Sequence, residues 1–331
     1  MGGARAWLKH AAKSADRDQA HDDAGVANGE VLVLAPASAL VVAALEREAA
    51  GDGLRLDIQP STDEAAAPIR TVSIWRGQEQ LCAWRVREVP RLYRAAIVID
   101  DLGQELKPAR ELLRVPYALT FSVLPDLPQS RATAAAAHEF DREVMLHLPM
   151  EPLSAAANPG AGAIRVGMPG DEVDRVIDSD LESVPYVAGV NNHMGSRATS
   201  DPALMAEVMK KLAAKRLYFI DSRTAGSTVA LDAARRAGMP AFYRSVFLDD
   251  TESVDYTLGQ LRRLRDAVQA QGVALAIGHP HPTTITALES FLPSLERDDI
   301  ELVPASRLAE LSDSARPSPH AVSKSNDDYR R

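Results

Sequence analysis

Residues 96–103 read AIVIDDLG, four apolar residues followed at once by two carboxylates, a leucine and a glycine. A short apolar run that ends in polar residues is typical of a buried strand. Amphipathic helical stretches, such as 202–215 and 254–270, separate further runs of this kind. Those runs lie at 118–123, 143–148, 186–190, 217–220, 241–247, 273–277 and 300–303. The alternation predicts an α/β fold in which parallel strands are joined by helices.

Nucleotide-binding motifs help to distinguish a barrel from an open doubly wound sheet. A dinucleotide-binding fold carries GxGxxG after its first strand, and P-loop proteins carry GxxxxGK[ST]. The strand at 96–99 is followed instead by Asp-Asp-Leu-Gly, and the sequence has no P-loop motif. The pattern therefore predicts that residues 95–312 form an α/β barrel rather than an open doubly wound sheet.

The segments on either side of the barrel differ from it in composition. Residues 29–90 are predicted to form a small α+β domain with a helix capped by Ser38 and a hairpin loop at 76–79. Its predicted strands are 31–34, 54–58, 71–75 and 81–86. The polar leader, 1–28, and the Ser- and Pro-rich tail, 313–331, are predicted to be disordered.

The composition excludes several classes of protein. Hydrophobic residues make up 46% and charged residues 25% of the 331 positions, so a chain disordered throughout is excluded. With 37 Lys+Arg against 46 Asp+Glu, the net charge is -9 and no basic stripe is evident, so nucleic acid is not an expected partner. The single cysteine, Cys82, excludes an intrachain disulfide.

The most apolar stretch, 31–45, predicts neither a membrane span nor an export signal. It is shorter than the roughly 20 residues that a spanning helix needs, and Pro36 interrupts it. A signal peptide carries basic residues just before its apolar segment, whereas Asp22, Asp23 and Glu30 precede this one. We therefore expect no transmembrane segment, and no signal peptide is visible in the sequence.

Polar side chains cluster where the predicted strands end. Four of the eight histidines lie there, together with several carboxylates. In α/β barrels the reacting groups gather at this edge of the sheet. Carboxylates with neutral imidazoles suit Zn²⁺ first, with Mn²⁺, Co²⁺ or Ni²⁺ as alternatives. Because Asp100 and Asp101 terminate a strand, one could bind a cation while its neighbour accepts a proton from water.

Five motifs occur in a fixed order: AIVIDDLG at 96–103, HLPMEP at 147–152, NNHMGS at 191–196, DSRT at 221–224 and GHPH at 278–281. Together they resemble the divergent polysaccharide deacetylases, relatives of the NodB-homology carbohydrate esterases. The resemblance implies a distorted (β/α) barrel of about seven strands. It also implies a periplasmic or cell-envelope enzyme that uses a metal-activated water to remove N-acetyl groups from a polysaccharide or oligosaccharide. A cytoplasmic location is the alternative, because no export signal is visible.

The same resemblance implies roles for individual residues in the reaction. Asp100 is the expected general base and His279 the general acid, oriented by Asp221. Asp101 and His147 are expected metal ligands. The family's second metal-motif histidine, four residues after His147, is replaced here by glutamate. Either Glu151 or His193 then completes the metal site, and we favour His193. The expected substrate-binding residues are Glu151, Arg223 and His281.

Simpler interpretations exist for most of these residues. Asp100 and Asp101 could cap the following helix, and His147 could be a core histidine. Asn191 and Asn192 are best interpreted as turn residues. Arg223 could pair with Asp100 or Asp221 and set the pKa of that carboxyl, or could equally form a structural salt bridge. A non-catalytic glycan-binding or scaffolding protein of the envelope, with a degenerate deacetylase site, is the alternative function. Hydrolysis of another ester or of a phosphate is a further possibility.

Overall fold

A computed structural model describes residues 27–34, 46, 49, 53–62, 68–89 and 93–314 of the chain. The helix predicted after Ser38, most of the leader and nearly all of the tail lie outside the described residues. Within them, two compact units can be distinguished. The first contains the N-terminal strands, and the second runs from Tyr93 to Leu295 and resumes at Leu302.

The N-terminal unit contains a four-stranded sheet with the order β1-β4-β3-β2. Strands β2, β3 and β4 are antiparallel neighbours, and β1 is parallel to β4. Only Gly77 and Gln78 separate β3 from β4, and Gly77 has φ +62. A left-handed residue in a two-residue hairpin favours glycine, so the predicted hairpin is confirmed. The four strands are β1 (Ala27–Leu34), β2 (Arg55–Thr62), β3 (Pro68–Arg76) and β4 (Glu79–Val89).

The second unit alternates strands with helices, as predicted. Its strands are β5 (Tyr93–Leu102), β6 (Leu119–Val123), β7 (Glu143–Met150), β8 (Val187–Met194), β9 (Tyr218–Asp221), β10 (Ala241–Tyr243), β11 (Val246–Phe247) and β12 (Val273–Gly278), followed by a short strand, β13 (Ile300–Leu302). Its helices are α1 (Leu106–Leu113), α2 (Ser130–Glu139), α3 (Gly170–Ser183), α4 (Pro202–Ala214), α5 (Ala230–Arg236), α6 (Val254–Gln271), α7 (Pro282–Arg297) and α8 (Ala305–Ser314).

Eight of these strands form one curled parallel sheet with the order β10-β9-β8-β7-β6-β5-β12-β11. The segment 241–247, predicted to be one strand, is divided by Arg244 and Ser245. Its first part pairs with β9 at one edge of the sheet and its second part pairs with β12 at the other. One segment therefore joins both edges. If it is counted once, the sheet has seven strands, and the predicted α/β barrel is confirmed.

Burial on both faces explains why several of these strands carry apolar residues at consecutive positions, as at 95–99 and 273–277. Every residue of β6 is buried, as are the central residues of β5 and β12. Parallel sheets covered by helices show this pattern because both faces are packed. Helix α4 begins where Asp201 accepts a hydrogen bond from the amide of Leu204, and α6 ends at Gly272 with φ +89. None of the described helices has both the length and the apolarity to cross a membrane.

Candidate metal centre

The site begins at an irregularity near the end of β5. Pairing with β6 runs through Ile99 and resumes only at Leu102, and Asp101 has φ +56. Adjacent strand residues normally face opposite sides of a sheet, but this irregularity breaks the alternation. Asp100 Oδ2 and Asp101 Oδ1 consequently lie 3.6 and 3.2 Å from the same atom, His147 Nε2. Strained backbone of this kind is often found at functional sites.

Three potential ligand atoms converge beside this irregularity. Asp101 Oδ1 lies 3.0 Å from His193 Nδ1 and 3.2 Å from His147 Nε2, and the two nitrogens are 3.2 Å apart. Strands β7 and β8 bring the imidazoles together because they are parallel neighbours that end at the same edge. Ligands about 2.0–2.1 Å from one tetrahedral cation lie roughly 3.3 Å from one another. The spacing of Asp101, His147 and His193 therefore fits a single divalent ion.

The environment of Asp101 supports the same interpretation. Its Oδ1 is buried and has no hydrogen bond of acceptable geometry, although two ring nitrogens approach it closely. Burial alone raises the pKa of the Asp101 carboxyl, but the contacts with His147 and His193 lower it well below its usual range. An ionised oxygen without a hydrogen bond and two imidazole nitrogens form a donor set that suits Zn²⁺. The residues thus fit a metal site.

The buried side-chain amide of Asn191, on β8, contacts polar side chains at the ends of three neighbouring strands, β5, β6 and β7. Asn191 Oδ1 is 2.6 Å from Ser122 Oγ and 2.8 Å from His147 Nδ1, and Asn191 Nδ2 donates to Asp100 Oδ1 at 2.8 Å. All four side chains are buried. We predicted Asn191 to be a turn residue. Its place opposite His147 in the register of β7 and β8 could be found only after the neighbouring strands were known.

His279 lies on the other side of Asp101, with Nε2 3.7 Å from Asp101 Oδ2. Its Nδ1 is 3.0 Å from Asp249 Oδ1, and Asp249 Oδ2 accepts hydrogen bonds from the His279 amide and from Thr284 Oγ1. Burial alone would lower the pKa of His279, but the bond to Asp249 and the surrounding negative charges raise it to about 9. The ring is therefore held as a proton donor.

His279 contacts Asp249 and not Asp221, the residue expected to orient it. Asp221 accepts hydrogen bonds from the amide of Arg223, from Thr228 Oγ1 and from the amide of Leu231, so it closes the loop that follows β9. Asp249 lies beside His279 because it follows β11, the strand paired with β12, and His279 follows β12 directly. The Asp-Asp pair at 249–250, just after the apolar run 241–247, was the available sequence signal.

Glu151 does not belong to the group of potential ligands. Its Oε2 accepts a hydrogen bond from the amide of Val166, and its Oε1 pairs with Arg197 at 3.0 Å. Both carboxylate oxygens are therefore engaged, one with the loop after β7 and the other with the segment after β8. His193, which we favoured over Glu151 as the third ligand, lies in that group instead.

Arg223 and His281 lie on loops that follow strands of the same sheet. The Arg223 guanidinium is 4.1 Å from the centre of the Tyr243 ring, and Arg223 has φ +51. No ion pair joins Arg223 to Asp100 or Asp221 in the part of the chain described here. His281 Nδ1 is 3.5 Å from Glu252 Oε1. Both side chains are partly or fully accessible, as substrate contacts require.

Asp249, His279 and His281 form a second group of potential ligand atoms within 4.8 Å of one another. The first two already share a hydrogen bond, and the other oxygen of Asp249 has two donors. A cation would have to replace these bonds. The contacts therefore favour an orienting role for Asp249 over a second metal site.

A family model for divergent polysaccharide deacetylases matches residues 97–309, which span β5 to α8 and include every strand-end residue described above. The chain belongs to this family. The resemblance that the five motifs indicated is thereby confirmed. The observed barrel is the fold that this resemblance implied.

Relatives of known sequence share the same region. A protein of Escherichia coli strain K12, named uncharacterized protein YibQ, is 42% identical over 213 residues, which cover 64% of this chain and 66% of the relative. An uncharacterized protein of Haemophilus influenzae strain Rd is 37% identical over 208 residues, covering 63% of this chain and 74% of that protein. The match thus spans slightly less than two thirds of the Escherichia coli protein.

A solved structure shows the same fold. The crystal structure of an uncharacterized protein from Agrobacterium tumefaciens C58 is 22% identical, with a TM-score of 0.63. The superposition covers 66% of this chain and 89% of the other. At this level of identity, the comparison concerns the arrangement of the sheet and its helices.

Proposed function

We propose that this member of the divergent polysaccharide deacetylase family is a metal-dependent hydrolase that removes N-acetyl groups from a cell-envelope glycan. One observation carries the proposal. Asp101 Oδ1, His147 Nε2 and His193 Nδ1 converge to within 3.0–3.2 Å of one another, and the buried carboxylate oxygen among them has no hydrogen bond. Zn²⁺ is the cation that this donor set suits best.

The two carboxylates of the Asp-Asp pair take different parts in the proposed reaction. When bound, Zn²⁺ polarises the acetyl carbonyl and lowers the pKa of water. Asp101 belongs to the ligand set. Asp100 is held by Asn191 through Oδ1, so its Oδ2 is available to accept the proton of the attacking water. Because Asp100 is buried, its position is fixed by its surroundings.

His279 supplies the proton that the leaving amine requires. Its Nδ1 is hydrogen-bonded to Asp249, so Nε2 is directed toward the ligand group and lies 3.7 Å from Asp101 Oδ2. A protonated imidazole in this position donates to the departing nitrogen and is left neutral. Asp100 and His279 thus act in opposite proton transfers: Asp100 accepts a proton as water attacks the carbonyl, and His279 donates one to the nitrogen as the C–N bond breaks.

The rim residues are the proposed contacts of the sugar. Arg223 and His281 present donors from the loops after β9 and β12, while Glu151 holds the loop after β7 in place. Short polar glycans fit this arrangement better than long stacked ones, because the tryptophans of the described strands, Trp75 and Trp84, belong to the N-terminal unit and not to the barrel. A cell-envelope glycan is the substrate class that the family membership supports.

The test combines metal content with acetate release. We expect the purified protein to bind close to one Zn²⁺ per chain and to release acetate from N-acetylated glucosamine oligomers or from peptidoglycan fragments. Removal of the metal with a chelator should abolish release, and added Zn²⁺ should restore it. A chain that binds no divalent metal from excess Zn²⁺, Mn²⁺, Co²⁺ or Ni²⁺ would contradict the proposal, as would acetate release that survives complete metal removal.

A further inference from the structure

Asn191 occupies a position that the proposed reaction does not itself explain. It is fully buried between two groups with different parts in the reaction, His147 of the ligand set and Asp100 of the proton-transfer step. Its amide makes three hydrogen bonds to side chains, at 2.6, 2.8 and 2.8 Å. A buried amide with this many short bonds has one defined orientation.

The orientation of the amide follows from Asp100. An ionised carboxylate only accepts hydrogen bonds, so the Asn191 atom beside Asp100 Oδ1 must be the donor, Nδ2. The carbonyl oxygen of the amide then has to face Ser122 and His147. If the amide were reversed, two oxygens would meet at Asp100 and two potential donors would meet at His147.

The tautomer of His147 follows in turn from the amide. Asn191 Oδ1 can only accept, so the His147 nitrogen beside it, Nδ1, must carry a hydrogen. In a neutral ring, the lone pair then lies on Nε2, the atom that faces Asp101 and His193. The carboxylate that accepts the proton and the imidazole that joins the ligand set are thus linked through one side chain.

We propose that Asn191 is a positioning residue that fixes the Nδ1–H tautomer of His147, and so directs the Nε2 lone pair to the cation, while it holds Asp100 as a proton acceptor. The inference depends on the proposed metal site but not on the proposed substrate. Outer partners of this kind commonly change metal affinity about 10–100-fold when they are removed.

The neighbouring residue, Asn192, shows what a purely structural amide does in the same strand. Its Nδ2 donates to the carbonyl of Met194 and, at 3.4 Å, to Thr224 Oγ1, and its Oδ1 accepts from the amide of Ser222. Asn192 therefore joins the segments that follow β8 and β9 and contacts neither the ligand set nor Asp100. Both asparagines are buried to a similar extent. Asn192 is therefore a matched control for the loss of a buried amide at this position of β8.

The experiment compares Asn191→Leu, Asn191→Asp and Asn192→Ala with the unchanged protein. The first variant keeps the side-chain volume but can neither donate nor accept. The second places two carboxyl groups together, which share one proton, so residue 191 can still donate to Asp100 and accept from His147. Two properties are measured: the ring ¹⁵N shifts of His147 in metal-free protein above the pKa of that ring, and Zn²⁺ affinity by competition with a chromophoric chelator.

We expect Asn191→Leu to lose the single tautomer of His147 and to bind Zn²⁺ about 10–100-fold more weakly. Asn191→Asp should keep the Nδ1–H tautomer and stay within about tenfold of the original affinity, as should Asn192→Ala. An unchanged tautomer and affinity in Asn191→Leu would overturn the inference, and so would an equal loss in Asn192→Ala. If Asn191→Leu does not fold, loss of the tautomer or of Zn²⁺ binding in folded Asn191→Asp would overturn it.

The same measurements distinguish failure of this inference from failure of the proposed function. If the unchanged protein binds Zn²⁺ with the expected dependence on Asn191 but releases no acetate, only the proposed reaction fails. If it binds no divalent metal, the metal site fails, and the ¹⁵N shifts of His147 still decide whether Asn191 sets the tautomer.

Discussion

Asp100 and Asp101 are neighbours in the chain, yet both carboxylates approach the same ring nitrogen, His147 Nε2, at 3.6 and 3.2 Å. The left-handed backbone of Asp101 and the interrupted pairing of β5 with β6 make this possible. The two environments nevertheless differ. Asp100 is buried and accepts a hydrogen bond from Asn191, whereas the Asp101 side chain is 36% exposed and has an oxygen without a hydrogen bond. We therefore expect the two aspartates to differ in function.

Separate substitution of the two aspartates tests this difference. Asp101→Asn should reduce bound Zn²⁺ to a small fraction of one per chain, because the amide oxygen is a weaker ligand than the carboxylate. Asp100→Asn should retain Zn²⁺ but reduce acetate release about 10²–10⁴-fold, because the proton acceptor is lost. Elemental analysis after dialysis and an acetate assay distinguish the two effects. Equal loss of metal in both variants would contradict the assignment.

Glu151 provides a matched control at the position where the sequence resemblance implies a second metal-motif histidine. Its oxygens are engaged by Val166 and Arg197, so Glu151→Gln should leave Zn²⁺ content unchanged. The lost ion pair is partly exposed and should change the free energy of unfolding by no more than about 1 kcal/mol. Metal content and urea unfolding of the same preparation measure both quantities. If Zn²⁺ falls to the level of Asp101→Asn, Glu151 is a ligand after all.

The strand ends of the barrel could be predicted from the sequence because each is marked locally, by an apolar run followed at once by polar residues. The partners across the sheet could not. His279 follows β12, and whether it meets Asp221 or Asp249 depends on which strand pairs with β12. That neighbour is β11, the second half of a segment that the polar residues Arg244 and Ser245 interrupt, and the sequence does not show which strand each half pairs with.

Asn191 was missed for a related reason. An asparagine at the end of a strand is common in turns, and only the side-by-side register of β7 and β8 shows that this one faces His147. Residues that act through direct chemistry, such as histidines and aspartates, are conspicuous in a sequence. A neutral amide such as Asn191 is ordinary in a sequence, and only the lateral packing of the strands shows which groups it orients.

Asp249 and Asp221 allow the sequence-based and the structural assignments to be compared by experiment. Asp249→Asn removes the charge that orients His279 and favours its protonated form, so acetate release should fall about 10²-fold or more with Zn²⁺ retained. Asp221→Asn should affect mainly the loop after β9, because its three donors belong to that loop. Rates at saturating substrate, with metal content as a control, measure the difference. A larger loss of rate in Asp221→Asn would restore the original assignment.

Gly189 is required by the packing of two adjacent strands. A Cβ at this position of β8 would overlap the ring of Tyr218, whose hydroxyl is fixed by Glu143 at 2.9 Å. Because the ring is buried and cannot move freely, Gly189→Ala should lower the free energy of unfolding by about 1–3 kcal/mol or more. Gly259 of α6 is the control, since a Cβ there meets open space. Gly259→Ala should raise the free energy of unfolding by about 0.5–1 kcal/mol, and the two variants would be compared by urea denaturation.

Asp180 is a buried carboxyl whose ionisation opposes folding. It lies on α3 against Gly162, and neither of its carboxylate oxygens has a hydrogen bond among the described residues. Burial, and secondarily the charge of Asp126, raise the pKa of Asp180 to about 8, whereas an aspartate in the unfolded chain titrates near 3.8. Between these two values the folded protein holds a proton that the unfolded chain has released.

The sign of the pH effect follows from this difference in bound protons. The stability that protonated Asp180 contributes is fully present below pH 3.8 and is lost as pH rises through about 8, by up to about 1.4 kcal/mol per pH unit. Asp180→Asn keeps the shape of the side chain but cannot ionise. The variant should therefore gain stability relative to the unchanged protein as pH is raised from 5 to 8, and the difference should level off above pH 8. Urea unfolding at several pH values measures this difference, and a difference that stays constant or shrinks between pH 5 and 8 would show that Asp180 is ionised and compensated in the folded protein.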